Sequence, residues 1–159
     1  MEGTDFDEIK FFRTIAASGT RALLIGRRAL VVLGLPVLTA DYDFWIHIDD
    51  IDRLNEAAAA FELVPTYSPE EARRRGRYTL ENDEHVDVLV ASSVPTVDGD
   101  VIAFEDVWSR RRRVALSPDV SVALPSHVDL ISTKRFGGRA KDIEDIRLLE
   151  TLAREDGEP

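Results

Sequence analysis

Cysteine is absent from the 159-residue chain, so neither a disulfide nor a thiolate metal site contributes to its fold. Histidine is scarce. His47, His85 and His127 would make a zinc site only if folding gathered them, and no HExxH spacing is present. Basic residues are outnumbered: Lys and Arg total 20 against 30 Asp and Glu, a formal net charge of -10. Broad nonspecific nucleic-acid platforms are basic, so this balance argues against one, though not against a local basic patch. No apolar run approaches the roughly 18 residues that span a bilayer, which excludes a helical membrane anchor in this sequence. The opening MEGTDFDEIKFF carries acids where a signal peptide carries lysine or arginine, so the expected location is cytoplasmic. Repeats, low-complexity tracts and long linkers are missing too. Residues 1–159 therefore read as a single domain, and the 44% apolar content is enough for one ordinary core.

What is present alternates between helix and strand signals. Phe6, Ile9, Phe12 (or Phe11) and Ile15 recur at three- to four-residue steps and predict a helix over 5–17, stopped by Gly19. The apolar run 22–25 before Gly26 predicts a buried strand, and 27–33 a short helix ended by Gly34 and Pro36. Residues 41–48, DYDFWIHI, are dense in aromatic and β-branched types and predict a second strand. Asp49 or Asp50 would cap the helix that follows, to about Phe61. PTYSPEEARRRG reads as a polar loop or short helix. Hairpins are expected over 77–81 and 84–90, turning at Asn82-Asp83, and over 114–116 and 120–122, across Ser117-Pro118-Asp119. Between them, 102–108 begin another short element. Two helices close the chain, one to about Phe136 and one over 140–153 with Ile143, Ile146, Leu149 and Leu152 toward the core. The fold class is therefore α/β (α+β), a mixed sheet with helices packed on it and a C-terminal helical pair.

Two aspartates carry the chemical signal. Asp41 and Asp43 are two apart, so on a strand they share one face, about 6–7 Å apart along the backbone. Both can reach one hard cation, which takes oxygen ligands. Asp87 interrupts an otherwise apolar strand, where a carboxylate is unfavourable unless paired or metal-bound. The three are expected to cluster as metal ligands and catalytic residues.

The stretch LLIGRRALVVLGLPVLTADYDFWI resembles the signature of the polymerase-β-like nucleotidyltransferase superfamily, in which a glycine followed by Gly or Ser after a strand precedes an Asp-x-Asp on the next. HVDVLV resembles the strand bearing the third aspartate. ISTKRFGGRAKDIEDIRLL resembles the end of minimal bacterial nucleotidyltransferases related to abortive-infection toxins (AbiEii-like). The resemblance spans residues 20–150. It implies a nucleotidyltransferase that uses an NTP as substrate and Mg²⁺ or Mn²⁺ as cofactor. Asp41 and Asp43 would hold ions bridging the triphosphate, and Asp87 would help bind a second ion and orient the attacking hydroxyl. Lys134 would contact phosphate, with Asp142 and Asp145 orienting Lys134 or Lys141. Gly26, Arg27 and Thr39 would border the nucleotide. RNA, a protein or a small molecule would be the acceptor, and an antitoxin or helical protein a possible partner. One departure stands out: Arg27 occupies the position of the usual Gly or Ser. Its side chain would either fill the phosphate space, leaving a non-catalytic binding module, or place a guanidinium on the phosphates.

The remaining features have plainer readings. The arginine runs 110–113 and 73–77 read as solvated faces paired with acids rather than nucleic-acid contacts. Asp142 and Asp145 are also explained by surface ion pairing with Arg139, Lys141 or Arg147. His85 reads as a half-buried strand histidine sharing the Asp87 face, and Trp45 and Trp108 read as core.

Overall fold

The computed structural model describes residues 6–96, 99–137 and 140–157, with the side chains of 134–141 outside that description. Helix α1, Glu8–Ala17, starts where the Asp7 carboxylate accepts a hydrogen bond from the Lys10 amide at 3.0 Å. Its apolar spacing turns Phe11, Phe12 and Ile15 to one buried face. Strand β1, Ala22–Ile25, runs directly into the short helix α2, Gly26–Val32. Strand β2, Tyr42–Ile46, follows, then a 3₁₀ turn, Ile48–Asp50, and α3, Ile51–Ala59.

The ambiguous polar segment resolves into a two-residue strand β3, Val64–Pro65, and helix α4, Pro69–Arg75. Ser68 caps α4 by accepting from the Glu71 amide at 3.2 Å, and Gly76 ends it in the left-handed conformation at φ 81°. The hairpin β4, Arg77–Glu81, and β5, His85–Leu89, forms as expected. Two smaller sheets follow. One pairs β6, Ser93–Pro95, with β7, Val101–Ala103. After α5, Phe104–Ser109, the other pairs β8, Arg112–Ser117, with β9, Val120–Leu124. Helices α6, His127–Gly137, and α7, Ala140–Glu155, pack on each other.

The main sheet has the order β1-β2-β5-β4-β3 and is mixed: β2 and β5 run parallel, and the other neighbours antiparallel. Strand alternation divides its faces. Leu24, Tyr42, Phe44, Ile46, Val86, Val88, Tyr78 and Leu80 lie in the large core with α1 and α3. Phe11 anchors it, its ring centroid 5.7 Å from Tyr42 and 6.1 Å from Phe44. Each such fully buried side chain contributes about 1.5–3 kcal/mol. On the opposite face, Leu23 and Trp45 form a smaller core with Phe104 and Val107 of α5. Trp45 is fully buried, and its indole donates to the Ala91 carbonyl at 2.7 Å. Trp108 stacks on Phe104 at 5.9 Å.

The last helix departs from its expected orientation. Ile143 is 51% exposed, and Ile146 and Leu152 are only partly buried. The buried stripe is Asp142, Asp145, Leu149 and Ala153. The two acids are not surface ion-pairing residues. Their burial rotates the helix so that the aliphatic residue between them faces water, and the cause lies in α2.

Candidate active site

Asp43 and Asp87 are register partners on the parallel strands β2 and β5, on the face opposite the large core. Parallel neighbours lie about 4.8 Å apart, so two carboxylates stand side by side. Both line a groove of about 610 Å³ that continues over β4 past Thr79, Arg77 and Tyr67. Asp41 is exposed, immediately before β2, and does not line this groove. Its backbone is fixed all the same: the Asp41 amide donates to Thr39 Oγ1 at 3.1 Å, a local turn contact.

The β1–α2 junction explains why glycine is required. Gly26 has φ 68°, and a Cβ added there would lie 2.9 Å from Asp43 Cγ and closer still to Oδ2. The backbone of this junction thus sits against the Asp43 carboxylate, a contact no other residue permits without displacement.

Arg27 does not enter the groove. Its Nε and Nη2 donate to the two oxygens of Asp145, each at 3.1 Å, and its Nη1 donates to the Leu38 carbonyl at 3.2 Å. Asp145 is fully buried, so this bidentate pair explains the orientation of α7 and locks it to α2. Asp142 is buried on the same stripe, and its charge reaches Arg27. Lys134 lies on α6, but its side chain, like that of Lys141, is outside the described residues.

Arg28, which sequence reasoning passed over, braces the segment before β2. It donates to the carbonyls of Thr39 at 3.2 Å and Asp41 at 3.3 Å, pairs with Glu8 at 3.4 Å, and lies 4.2 Å from the Tyr42 ring centroid. His85 stands beside the acids, with Nε2 2.9 Å from Asp87 Oδ1 and Nδ1 3.2 Å from Glu81 Oε2. Desolvation lowers the His85 pKa, but the bond to Asp87 and the charges of Asp87, Glu81 and Asp41 more than reverse this and raise it.

Among the described residues, no three His, Cys, Asp or Glu side chains form a ready-made metal cage. The pair Asp43 and Asp87 has a different fit. Magnesium is usually held by one or two carboxylates together with waters and substrate phosphates, and two adjacent carboxylates opening into a groove provide that donor set. Neither arginine run is a bare cationic patch. Arg74 and Arg75 pair with Glu71, Arg110 with Asp129, and Arg112 with Asp156, while Arg111 lies 4.0 Å over Trp108.

No family model and no curated protein matches the chain. Solved structures do. The antibiotic-resistance factor ANT(2'')-Ia superposes with a TM-score of 0.63 at 16% identity, over 93% of this chain and 85% of its own. The lincosamide antibiotic adenylyltransferase LnuA, solved with lincomycin bound, gives 0.62 at 12% identity, over 94% and 99%. TM1012 of Thermotoga maritima, assigned as a nucleotidyltransferase, gives 0.57 at 15% identity, over 90% and 89%.

Proposed function

Given a nucleotidyltransferase-like fold, we propose that the chain is a metal-dependent nucleotidyltransferase, moving a nucleoside monophosphate from an NTP to an acceptor hydroxyl. The observation that carries this reading is the juxtaposition of the Asp43/Asp87 pair with the Gly26 backbone. Asp43 and Asp87 would hold magnesium or manganese, while Asp41, exposed before β2 and outside the groove, is proposed as a metal ligand on the resemblance alone. The bound ion supplies neutralisation of the triphosphate and of the pyrophosphate leaving group. Asp87 accepts a hydrogen bond from the acceptor hydroxyl and aligns its oxygen on the α-phosphorus. A new P–O bond forms there as the bond to the β-phosphate oxygen breaks, the hydroxyl proton passing to the Asp87 carboxylate. His85 holds the Asp87 carboxylate in place from its other side. Lys134 is proposed as a phosphate contact on the resemblance alone.

The competing reading, a non-catalytic module, rests on Arg27 crowding the phosphate loop. The bonds from Arg27 to Asp145 and to the Leu38 carbonyl support the transferase reading over it. A place in a toxin–antitoxin or phage-defence system, with an antitoxin as partner, is proposed from the AbiEii-like C-terminal stretch. Antibiotic adenylylation, as in LnuA, is the neighbouring alternative.

The test is thermal stability with Mn²⁺ or Mg²⁺ and each of the four NTPs, followed by pyrophosphate release. A ligand at 100 times its Kd stabilises the native state by about 2.7 kcal/mol. A metal-dependent shift with one NTP is expected in the wild type and not in Asp43→Asn, whose turnover should fall about 100- to 1,000-fold. Equal shifts in both proteins, or undiminished turnover in the variant, would sink the assignment.

A further inference from the structure

The groove beyond Asp87 points to the acceptor. We propose that it is the acceptor subsite, and that its occupant is a small hydroxylated molecule bearing a phosphate or carboxylate group. This rests on the nucleotidyl-transfer reading and specifies its second substrate. The Gly26 junction lies on the β1 side of the acid pair, and the groove opens on the other side, over β4. Thr79 stands opposite Asp87 in the sheet register, and Arg77 opposite Leu89, so both side chains share the face of the acids.

Arg77 is the informative residue. The chain carries an excess of acids, and the preceding arginines Arg74 and Arg75 are taken up by Glu71. Arg77 is exposed, lines the groove, and its guanidinium makes no hydrogen bond or ion pair among the described residues. A guanidinium fork without a carboxylate, on the wall of a cleft, suits bidentate binding of a phosphate or carboxylate. The surrounding wall is polar and ordered. Thr79 Oγ1 donates to Thr66 Oγ1 at 3.0 Å, and Tyr67 is held by Arg75, whose guanidinium lies 4.4 Å from the ring centroid. Two residues along a strand and one strand across place the Asp87 and Arg77 backbones about 8 Å apart. A molecule the size of a pentose phosphate spans that interval, its hydroxyl at Asp87 and its anionic group at Arg77. A cationic amino sugar meets the wrong charge at Arg77, and a long polyanion is disfavoured by the net charge of -10.

The experiment uses the full chain with Mn²⁺ and the NTP that shifts its stability. The probes are ribose 5-phosphate, gluconate, ribose and glucosamine, with a short oligoribonucleotide as competitor, and binding is followed by calorimetry. Ribose 5-phosphate or gluconate should bind at least about tenfold more tightly than ribose or glucosamine, and Arg77→Gln should remove that preference while leaving NTP affinity unchanged. Ribose 5-phosphate alone would identify the anion as phosphate, and gluconate alone as carboxylate. Where turnover is measured, the variant should raise the acceptor KM and not the donor KM. Equal binding of neutral and anionic probes would overturn the proposal, as would an Arg77→Gln defect confined to the NTP. Tighter binding of the oligoribonucleotide would overturn the small-molecule assignment. Loss of all metal-dependent NTP binding in the wild type would instead defeat the transferase reading itself, which separates the two failures.

Discussion

Gly26 and Asp43 are seventeen positions apart in sequence and in contact in space. A methyl group at 26 must either push the Asp43 carboxylate aside or flatten a positive φ, and a non-glycine residue held there is disfavoured by about 1–3 kcal/mol. Gly26→Ala should therefore show a modest loss of thermal stability together with a loss of metal-dependent NTP binding. A variant that keeps wild-type NTP affinity would separate the Gly26 junction from the site. That a glycine ends β1 was legible in the sequence. The Asp43 contact was not, because it depends on how β1 pairs with β2.

At the scale of elements, the pairing of Arg27 with Asp145 carries the largest consequence. Arg27 supplies two of the bonds that satisfy the buried Asp145 carboxylate, and removing one partner of a buried ion pair costs up to about 3–5 kcal/mol. Arg27→Ser should thus destabilise the α2–α7 contact by up to that amount and bring no gain in NTP affinity. A gain in affinity would show that Arg27 obstructs the site after all. A second buried acid ties β1 to the turn after β2. Asp50 accepts from the Arg21 amide at 2.8 Å, from Arg21 Nε at 2.9 Å and Nη2 at 3.0 Å, and from Arg53 at 3.1 Å. Burial pushes its pKa up, but the Arg21 bonds and charges outweigh this and leave it below the ordinary value. A depressed folded pKa gives stability that is present above the unfolded value and is lost as pH falls through the folded one. Asp50→Asn should be less stable than wild type at neutral pH, with the gap in urea midpoints narrowing below about pH 4. These elements also mark where sequence reading stops. The stripe of α1, the hydrophobic β2 and the two hairpins announce themselves through local periodicity. The face of α7 does not, because aspartates at 142 and 145 look solvent-bound until Arg27, far away in the chain, is brought to one of them.

For the whole molecule, the net charge of -10 bears on the proposed nucleotide binding. An acidic surface repels a bare triphosphate, and on the proposed reading a divalent ion would offset both charges. Calorimetry in the presence of a chelator should show NTP affinity reduced at least about tenfold relative to Mn²⁺. Metal-independent affinity of equal strength would count against a metal-held donor site at Asp43 and Asp87. The mixed sheet and its covering helices were readable from the alternation of strand and helix signals, whereas the strand order was not, since it is set by contacts between distant segments.

The parallel alignment of β2 with β5 has a kinetic corollary. The β4–β5 hairpin is closed by a short turn and can form early, but its docking onto β2 must close a loop through α3, β3 and α4. That docking step brings two like charges, Asp43 and Asp87, into register. Assembly of the acid pair therefore belongs to the late part of the folding reaction. Neutralising one of them, as in Asp87→Asn, should speed refolding in stopped-flow experiments, so that the two residues proposed to hold the metal are also a pair whose approach works against folding.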